Sequence, residues 1–300
     1  MSESLPDVER QPDAMTAVAV DGGEVMTYSF GSGDEVLFLV NGGPGLPCDY
    51  LRDGHSHLAD KGWRVVTWDQ LGTGRSERPG DTALWTIERY AREMEQVRAG
   101  LDLGRVHVLG QSWGGFLAIE HALTFPDDIK SLTLSNTVAD VPHLLTEQNR
   151  LRTALGSETV NMMLRREAEG STDHPEYAAA LDILSWRHVH RLEALPAPIK
   201  RSMDNIEMGI YGYMWGASEF QCTGNLKDWN RLDDLARIEA PTLIVVGEHD
   251  ELTPSCSMRM HQQMPTSEIH VIANAAHMTS FEQPDTYFPI LEGFLTRHGG

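Results

Sequence analysis

The chain has few cysteines, few cations and no long apolar run. Its three cysteines, Cys48, Cys222 and Cys256, are an odd and scattered set among 300 residues. Such a set does not make a disulfide framework, and no CxxC or paired Cys/His spacing suggests a zinc site. Lys and Arg total 24 against 44 Asp and Glu, a formal net charge of −20. A phosphate backbone or an anionic membrane surface needs clustered cations, so nucleic acid and membrane are excluded as expected partners. No uninterrupted apolar stretch approaches the roughly 18 residues of a membrane helix. Residues 1–13 carry neither a basic n-region nor an apolar h-region, so no signal peptide is expected and the cytoplasm is the default location. The first dozen residues read as disordered. What remains is 41% hydrophobic and 23% charged, the balance of a globular protein with room for a large core.

Within that bulk, apolar runs alternate with helical periodicity. Ala14–Val20 and Val25–Phe30 flank Asp21-Gly22-Gly23, a hairpin signal. Val36–Val40, Arg64–Trp68, Arg105–Leu109 and Ile129–Leu134 read as buried strands, with helical patterns at Thr86–Leu101 and Trp113–Thr124. From about Val141 to Asp233 buried strands are not expected, and helical patterns dominate. Alternation resumes with strand Thr242–Val246, helix Ser255–Gln263, strand Glu268–Ile272 and helix Pro284–Arg297. The fold class that follows is α/β: a mostly parallel central sheet, helices on both faces, and a helical insertion. The division expected is a core of residues 1–140 and 234–300 with a helical cap at 141–233.

Three strand ends carry chemistry. Gly110-Gln111-Ser112-Trp113-Gly114 fits G-x-S-x-G directly between a strand and a helix, the context in which a serine is presented as a nucleophile on a tight turn. The order expected for this arrangement is Ser, acid, His. Asp250 follows the strand Thr242–Val246 and His277 follows Glu268–Ile272, so His277 is the candidate base and Asp250 the residue that orients it. Glu248 and Glu251 are competitors for the acid role. His121, His188 and His190 read as surface or structural. An oxyanion formed at Ser112 would be met by the backbone N–H of Trp113 and by one from Asn41-Gly42-Gly43-Pro44-Gly45, with Gly43 the candidate. The sequence asks for no metal and no cofactor, and it carries no signal for oligomeric state.

These motifs, taken in order, resemble the proline iminopeptidase family of α/β-hydrolases. Asn41–Gly45 is similar to its HGGPG segment, and Asp69-Gln70 through Gly74-Arg75-Ser76 to its DQ-x-G-x-G-x-S segment. Gly110–Gly115 is similar to its GxSxGG, and Gly247–Pro254 to the GExDExTP of the branch that includes the tricorn-interacting aminopeptidase and the L-amino acid amidases. The match spans roughly residues 25 to 298. The family departs from this chain at Asn41, a histidine there, and at Ala217, the usual proline of the G-P-x-E-F segment. The resemblance implies an α/β-hydrolase fold with a helical cap. It also implies hydrolysis, through an acyl-enzyme, of the amide bond after an N-terminal residue with a free amine. It further implies that Glu219 and Glu251, helped by Tyr211, bind that amine. Two carboxylates facing a pocket are costly unless a cation joins them, and a protonated amine is such a cation. The substrate expected is a small molecule, a short peptide or an amino acid amide. A carboxylesterase or lactonase, a xenobiotic amide hydrolase, or a non-catalytic binding protein on the same fold are the alternatives.

Overall fold

The computed structural model describes residues 9–299. Among the described residues there are ten strands. They are β1 (Ala14–Val20), β2 (Gly23–Phe30), β3 (Val36–Val40), β4 (Arg64–Trp68), β5 (Val106–Gln111), β6 (Ile129–Ser135), β7 (Gly216–Ser218), β8 (Gln221–Cys222), β9 (Thr242–Gly247) and β10 (Ser267–Ile272). Helices α1 (Asp49–His55), α2 (Ile87–Gly100) and α3 (Trp113–Thr124) belong to the first half of the chain. Helices α4 (Val141–Thr153), α5 (Ser157–Glu169), α6 (Pro175–His188), α7 (Ala197–Asp204) and α8 (Met208–Met214) follow β6. Helices α9 (Pro254–Gln263), α10 (Thr279–Glu282) and α11 (Pro284–His298) complete the chain.

Eight strands form one sheet in the order β1-β2-β4-β3-β5-β6-β9-β10. β2 runs antiparallel to both of its neighbours, β1 and β4, and from β4 to β10 every pairing is parallel. A parallel strand is covered on both faces, which is why β3 reads as an unbroken apolar run and is buried throughout. Its side chains still alternate. Val36, Phe38 and Val40 join the core that α2, α3 and α9 cover, while Leu37 and Leu39 join the core that α1 and α11 cover. The chain leaves β3 for β4 on one side and reaches β5 on the other. That reversal opens a crevice at the carboxyl ends of the strands, where ligands of open α/β sheets bind.

Helices α4 to α8 lie between β6 and β9 in sequence, where alternation was expected to stop. One feature of this stretch was not expected: β7 and β8 pair as a small antiparallel hairpin whose turn is Glu219-Phe220. With three and two residues, neither strand is long enough to show a period of 2 in sequence. The expected disorder of the first dozen residues concerns in part residues 1–8, which lie outside the described residues. Beyond them, Arg10 is docked, its guanidinium paired with Asp60 at 2.7 Å and donating to the Ser56 carbonyl at 3.1 Å. Among the described residues, no helix is long and apolar enough to cross a membrane.

Candidate active site

Ser112 sits at the junction of β5 and α3 with φ 56° and ψ −126°, a conformation L-residues avoid. The packing that holds it there depends on Gly114. A Cβ at that position would lie 2.0 Å from the Val40 carbonyl oxygen at the end of β3. Gly114→Ala is therefore expected to lower stability by about 3 kcal/mol, a shift of about 1 M in the urea midpoint. An unchanged midpoint would show that the turn has slack. Gly42 makes a second close approach: a Cβ there would meet the Ser112 Cβ at 3.0 Å and the Gln111 amide oxygen at 2.8 Å. The glycine loop after β3 thus lies directly against the serine. Among the described residues, the N–H groups of Gly43 and Trp113 donate to no other group.

Asp250 and His277 meet as the strand ends β9 and β10 require. His277 Nδ1 lies 2.9 Å from Asp250 Oδ1, and both residues are buried. Of the three candidate acids, Asp250 is the one on the imidazole. Glu248 instead accepts from the Asn274 N–H at 3.0 Å in an exposed turn. The second Asp250 oxygen accepts from Asn136 Nδ2 at 2.7 Å, and Oδ1 also accepts from the Leu252 N–H at 2.9 Å. Burial pulls the His277 pKa down. The Asp250 carboxylate, by charge and by hydrogen bond, outweighs this with help from Glu219 and Glu282, so His277 titrates above the ordinary histidine value.

Ser112 and His277 line one cavity of about 320 Å³, together with Gly43, Tyr211 and Glu219. Among the described residues no hydrogen bond joins Ser112 Oγ to His277. His277 Nε2 faces Gln111 Nε2 at 3.2 Å instead, and the Gln111 amide oxygen accepts from Tyr50 Oη at 2.5 Å. With Nδ1–H given to Asp250, Nε2 carries the lone pair, and the Gln111 amide donates to it. Gln111 is the variable position before the serine in G-x-S-x-G, so the motif carried no signal for this role.

The amine-binding residues implied by the resemblance also come together. Glu219 stands at the β7–β8 turn, where its carbonyl accepts from Gln148 Nε2 at 3.0 Å and Trp215 Nε1 at 3.2 Å. These bonds hold the turn although Ala217 stands where a proline is usual. Glu251 is 0% exposed, and neither of its carboxylate oxygens has a hydrogen-bond partner among the described residues. Burial, then the Glu219 and Asp250 charges, push its pKa well above the usual carboxylate range. Glu219 is raised as well, chiefly by burial and against the pull of His277 and Tyr211. The Tyr211 hydroxyl is driven far up by burial and by both glutamates.

The DQ segment supports this site from below. Gln70 accepts from Trp113 Nε1 at 3.0 Å and donates to the Asn41 carbonyl at 3.1 Å. Asn41 Nδ2 in turn donates to the Leu46 carbonyl at 2.7 Å, closing the glycine loop on itself. Asp69 accepts from Tyr28 Oη at 2.7 Å and from the Arg75 and Cys48 N–H groups at 2.9 and 3.1 Å. Of the histidines read as structural, His121 pairs with Glu95 and His188 with the His249 carbonyl, but His190 lines the cavity. Among the described residues, no group of three or more His, Cys, Asp or Glu is placed to hold a metal ion.

This sheet, with its serine turn and buried Asp–His pair, is the α/β-hydrolase architecture, and the alpha/beta hydrolase fold family matches residues 35–284. Proline iminopeptidase of Heyndrickxia coagulans is 37% identical over 282 residues, covering 93% of this chain and 97% of that protein. Proline iminopeptidase of Saccharolobus solfataricus is 34% identical over 263 residues, covering 86% and 84%. Among solved structures, VinJ superposes with a TM-score of 0.91 at 31% identity, covering 96% of this chain and 99% of VinJ. Proline iminopeptidase of Mycobacterium smegmatis gives 0.88 at 31% identity, covering 95% and 98%. The chain belongs to the proline iminopeptidase family of α/β-hydrolases, and it is a serine hydrolase.

Proposed function

We propose that this enzyme releases an N-terminal amino acid bearing a free amine from a small amide. Ser112 is the nucleophile, His277 the general base and acid, and Asp250 the residue that fixes the imidazole. Gly43 and Trp113 supply the oxyanion N–H groups. Glu219, Glu251 and Tyr211 take the substrate ammonium. Residues 141–233 act as a cap over a core of 1–140 and 234–300. The observation that carries this reading is the buried Glu251 carboxylate without a partner, close in charge to Glu219, which lines the same cavity as Ser112 and His277. A buried anion left unpaired is costly, and a bound cation removes the cost.

The chemistry follows in order. Ser112 Oγ gives its proton to His277 Nε2 as it bonds to the substrate carbonyl carbon, and the carbonyl oxygen becomes an oxyanion held by the two N–H groups. Gln111 must release Nε2 for this step, which requires only a small turn of a side-chain amide. His277 then passes the proton to the leaving nitrogen, the C–N bond breaks, and the acyl group remains on Ser112. Water, deprotonated by His277, attacks the acyl-enzyme. The amino acid leaves and Ser112 regains its proton.

The amine requirement is tested with alanine p-nitroanilide and its N-acetyl derivative. Acetylation removes the ammonium, so kcat/KM is expected to fall by at least about 10²-fold, the cost of leaving buried charges unpaired. Equal turnover of the two would overturn the roles of Glu219 and Glu251.

A further inference from the structure

Asn136 follows β6, a strand end to which the sequence assigns no chemistry. It is 1% exposed and has φ 51°. Asparagine is one of the few residues besides glycine that enter this left-handed region readily. Its backbone N–H donates to the Val245 carbonyl of β9 at 2.8 Å, and its carbonyl accepts from the Ser112 N–H at 3.1 Å. Its side-chain Nδ2 lies 2.7 Å from Asp250 Oδ2, 2.7 Å from Thr279 Oγ1 and 3.2 Å from the Ala276 carbonyl. One residue thus ties together Ser112, Asp250 and the segment that carries His277.

The amide of Asn136 is held one way round. Ser135 Oγ donates to Asn136 Oδ1 at 3.0 Å, so the NH₂ end faces Asp250, and a carboxylate, which only accepts, requires the same orientation. Among the described residues, Asn136 Nδ2 is the one donor to Asp250 Oδ2, while Oδ1 takes the His277 Nδ1–H and the Leu252 N–H. A carboxylate held through one oxygen can rotate about its Cβ–Cγ bond. The bond at the second oxygen fixes its plane. That plane decides whether an Oδ1 lone pair meets the Nδ1–H in line, and so how the imidazole is oriented. Without Asn136, Oδ2 would be a buried acceptor with no protein donor.

We infer that Asn136 is a positioning residue of the active site. Its side-chain amide locks the Asp250 carboxylate, and through it His277, in the plane that catalysis needs. Its backbone carbonyl holds the turn that bears Ser112. This rests on the roles proposed above for Ser112, Asp250 and His277, and it adds a fourth strand end to theirs. Asn136 touches no reacting atom and acts on the reaction through Asp250.

The test begins with Asn136→Gly, which removes the amide and keeps a residue that adopts φ 51° freely. The variant is expected to fold. Its kcat toward alanine p-nitroanilide should fall by at least about tenfold with KM within about twofold, because a hydrogen bond to a charged group is lost away from the substrate. Asn274→Gly is the matched control. Asn274 has φ 58° but stands in an exposed turn. Its variant should stay within about twofold of the parent in both constants.

Action through Asp250 is read from a double variant. In the Asp250→Asn background, Asn136→Gly should cost less than about threefold in kcat, because the carboxylate it positions is already gone. A merely structural residue would cost the same in both backgrounds. A smaller loss than expected in the folded single variant, or a larger one in the double variant, overturns the inference. If Asn136→Gly does not fold, Ser135→Ala carries the test. It frees the Asn136 amide to turn, and kcat should fall by at least about threefold with KM unchanged. An unchanged kcat there overturns the inference. Asp250→Asn by itself reports the underlying reading: a loss below about tenfold removes that reading whatever Asn136 does. A loss of about 10⁴-fold for Asp250→Asn beside a parent-like Asn136→Gly leaves the reading standing and removes only this inference.

Discussion

Asp250→Asn lowers kcat by about 10⁴-fold while leaving the protein folded. The reason lies in how many bonds the carboxylate accepts. One oxygen takes the imidazole Nδ1–H and the Leu252 N–H, the other takes Asn136 Nδ2, and all three partners are donors. An asparagine has one acceptor and one donor end. If its oxygen faces His277, its NH₂ confronts the Asn136 NH₂. If its NH₂ faces His277, the imidazole must move its proton to Nε2, and it then has no lone pair for Ser112. Either arrangement removes the base or strains its support. The pH profile gives a second readout. In the proposed mechanism the base works neutral, so activity is expected to rise with pH through the His277 pKa. Asp250 raises that pKa against the effect of burial, so the residual acid limb moves to lower pH when the charge is removed. Glu248→Gln, which alters only an exposed turn, is the control and should stay within about twofold. A loss of less than tenfold for Asp250→Asn would mean that another group orients His277.

Glu251→Gln is expected to do two opposite things. Stability should increase by about 2 kcal/mol near neutral pH, a rise of about 3 °C in Tm, because a buried carboxylate without a partner is replaced by a neutral amide. Catalytic efficiency toward free-amine substrates should fall by about 10²-fold, mostly through KM, because half of the proposed ammonium site is gone. The sign of the pH dependence follows from the raised pKa. Protonated Glu251 favours the folded state, and this contribution is complete below the unfolded-state carboxylate pKa. It is lost as pH rises from there toward the higher folded-state value, as burial and the Glu219 and Asp250 charges oppose ionisation. The Tm difference between variant and parent should therefore widen as pH rises above the ordinary carboxylate range. Parallel losses of Tm and activity would assign Glu251 a structural role instead. A higher Tm with lower activity would place Glu251 among functional residues kept at a local cost in stability for the sake of binding.

Much of this protein was legible in its linear order. The run Val36–Val40 is legible as a strand because a parallel strand is covered on both faces, and five apolar residues ending at a glycine loop are too few for a buried helix. Ser112, Asp250 and His277 stand out as candidates because each follows such a run, and in a parallel sheet all carboxyl ends fall on one edge. Glycine at 114 encodes a close approach that no side chain permits. These features depend on neighbours in the chain or on a sheet rule that holds in every such fold, so the sequence by itself determined them. What only the tertiary structure decided depends on residues far apart in the chain. Gln111 reaches His277 across 166 positions, Asn136 reaches Asp250 across 114, and the hairpin that presents Glu219 is too short to leave a periodic trace. The choice of Asp250 over Glu248 was likewise made in space, by which carboxylate faces the imidazole. The cavity at Ser112 has walls drawn from both the sheet loops and the α6–α8 region. Its size and polarity are set by how those parts pack, and no local pattern of residues encodes that.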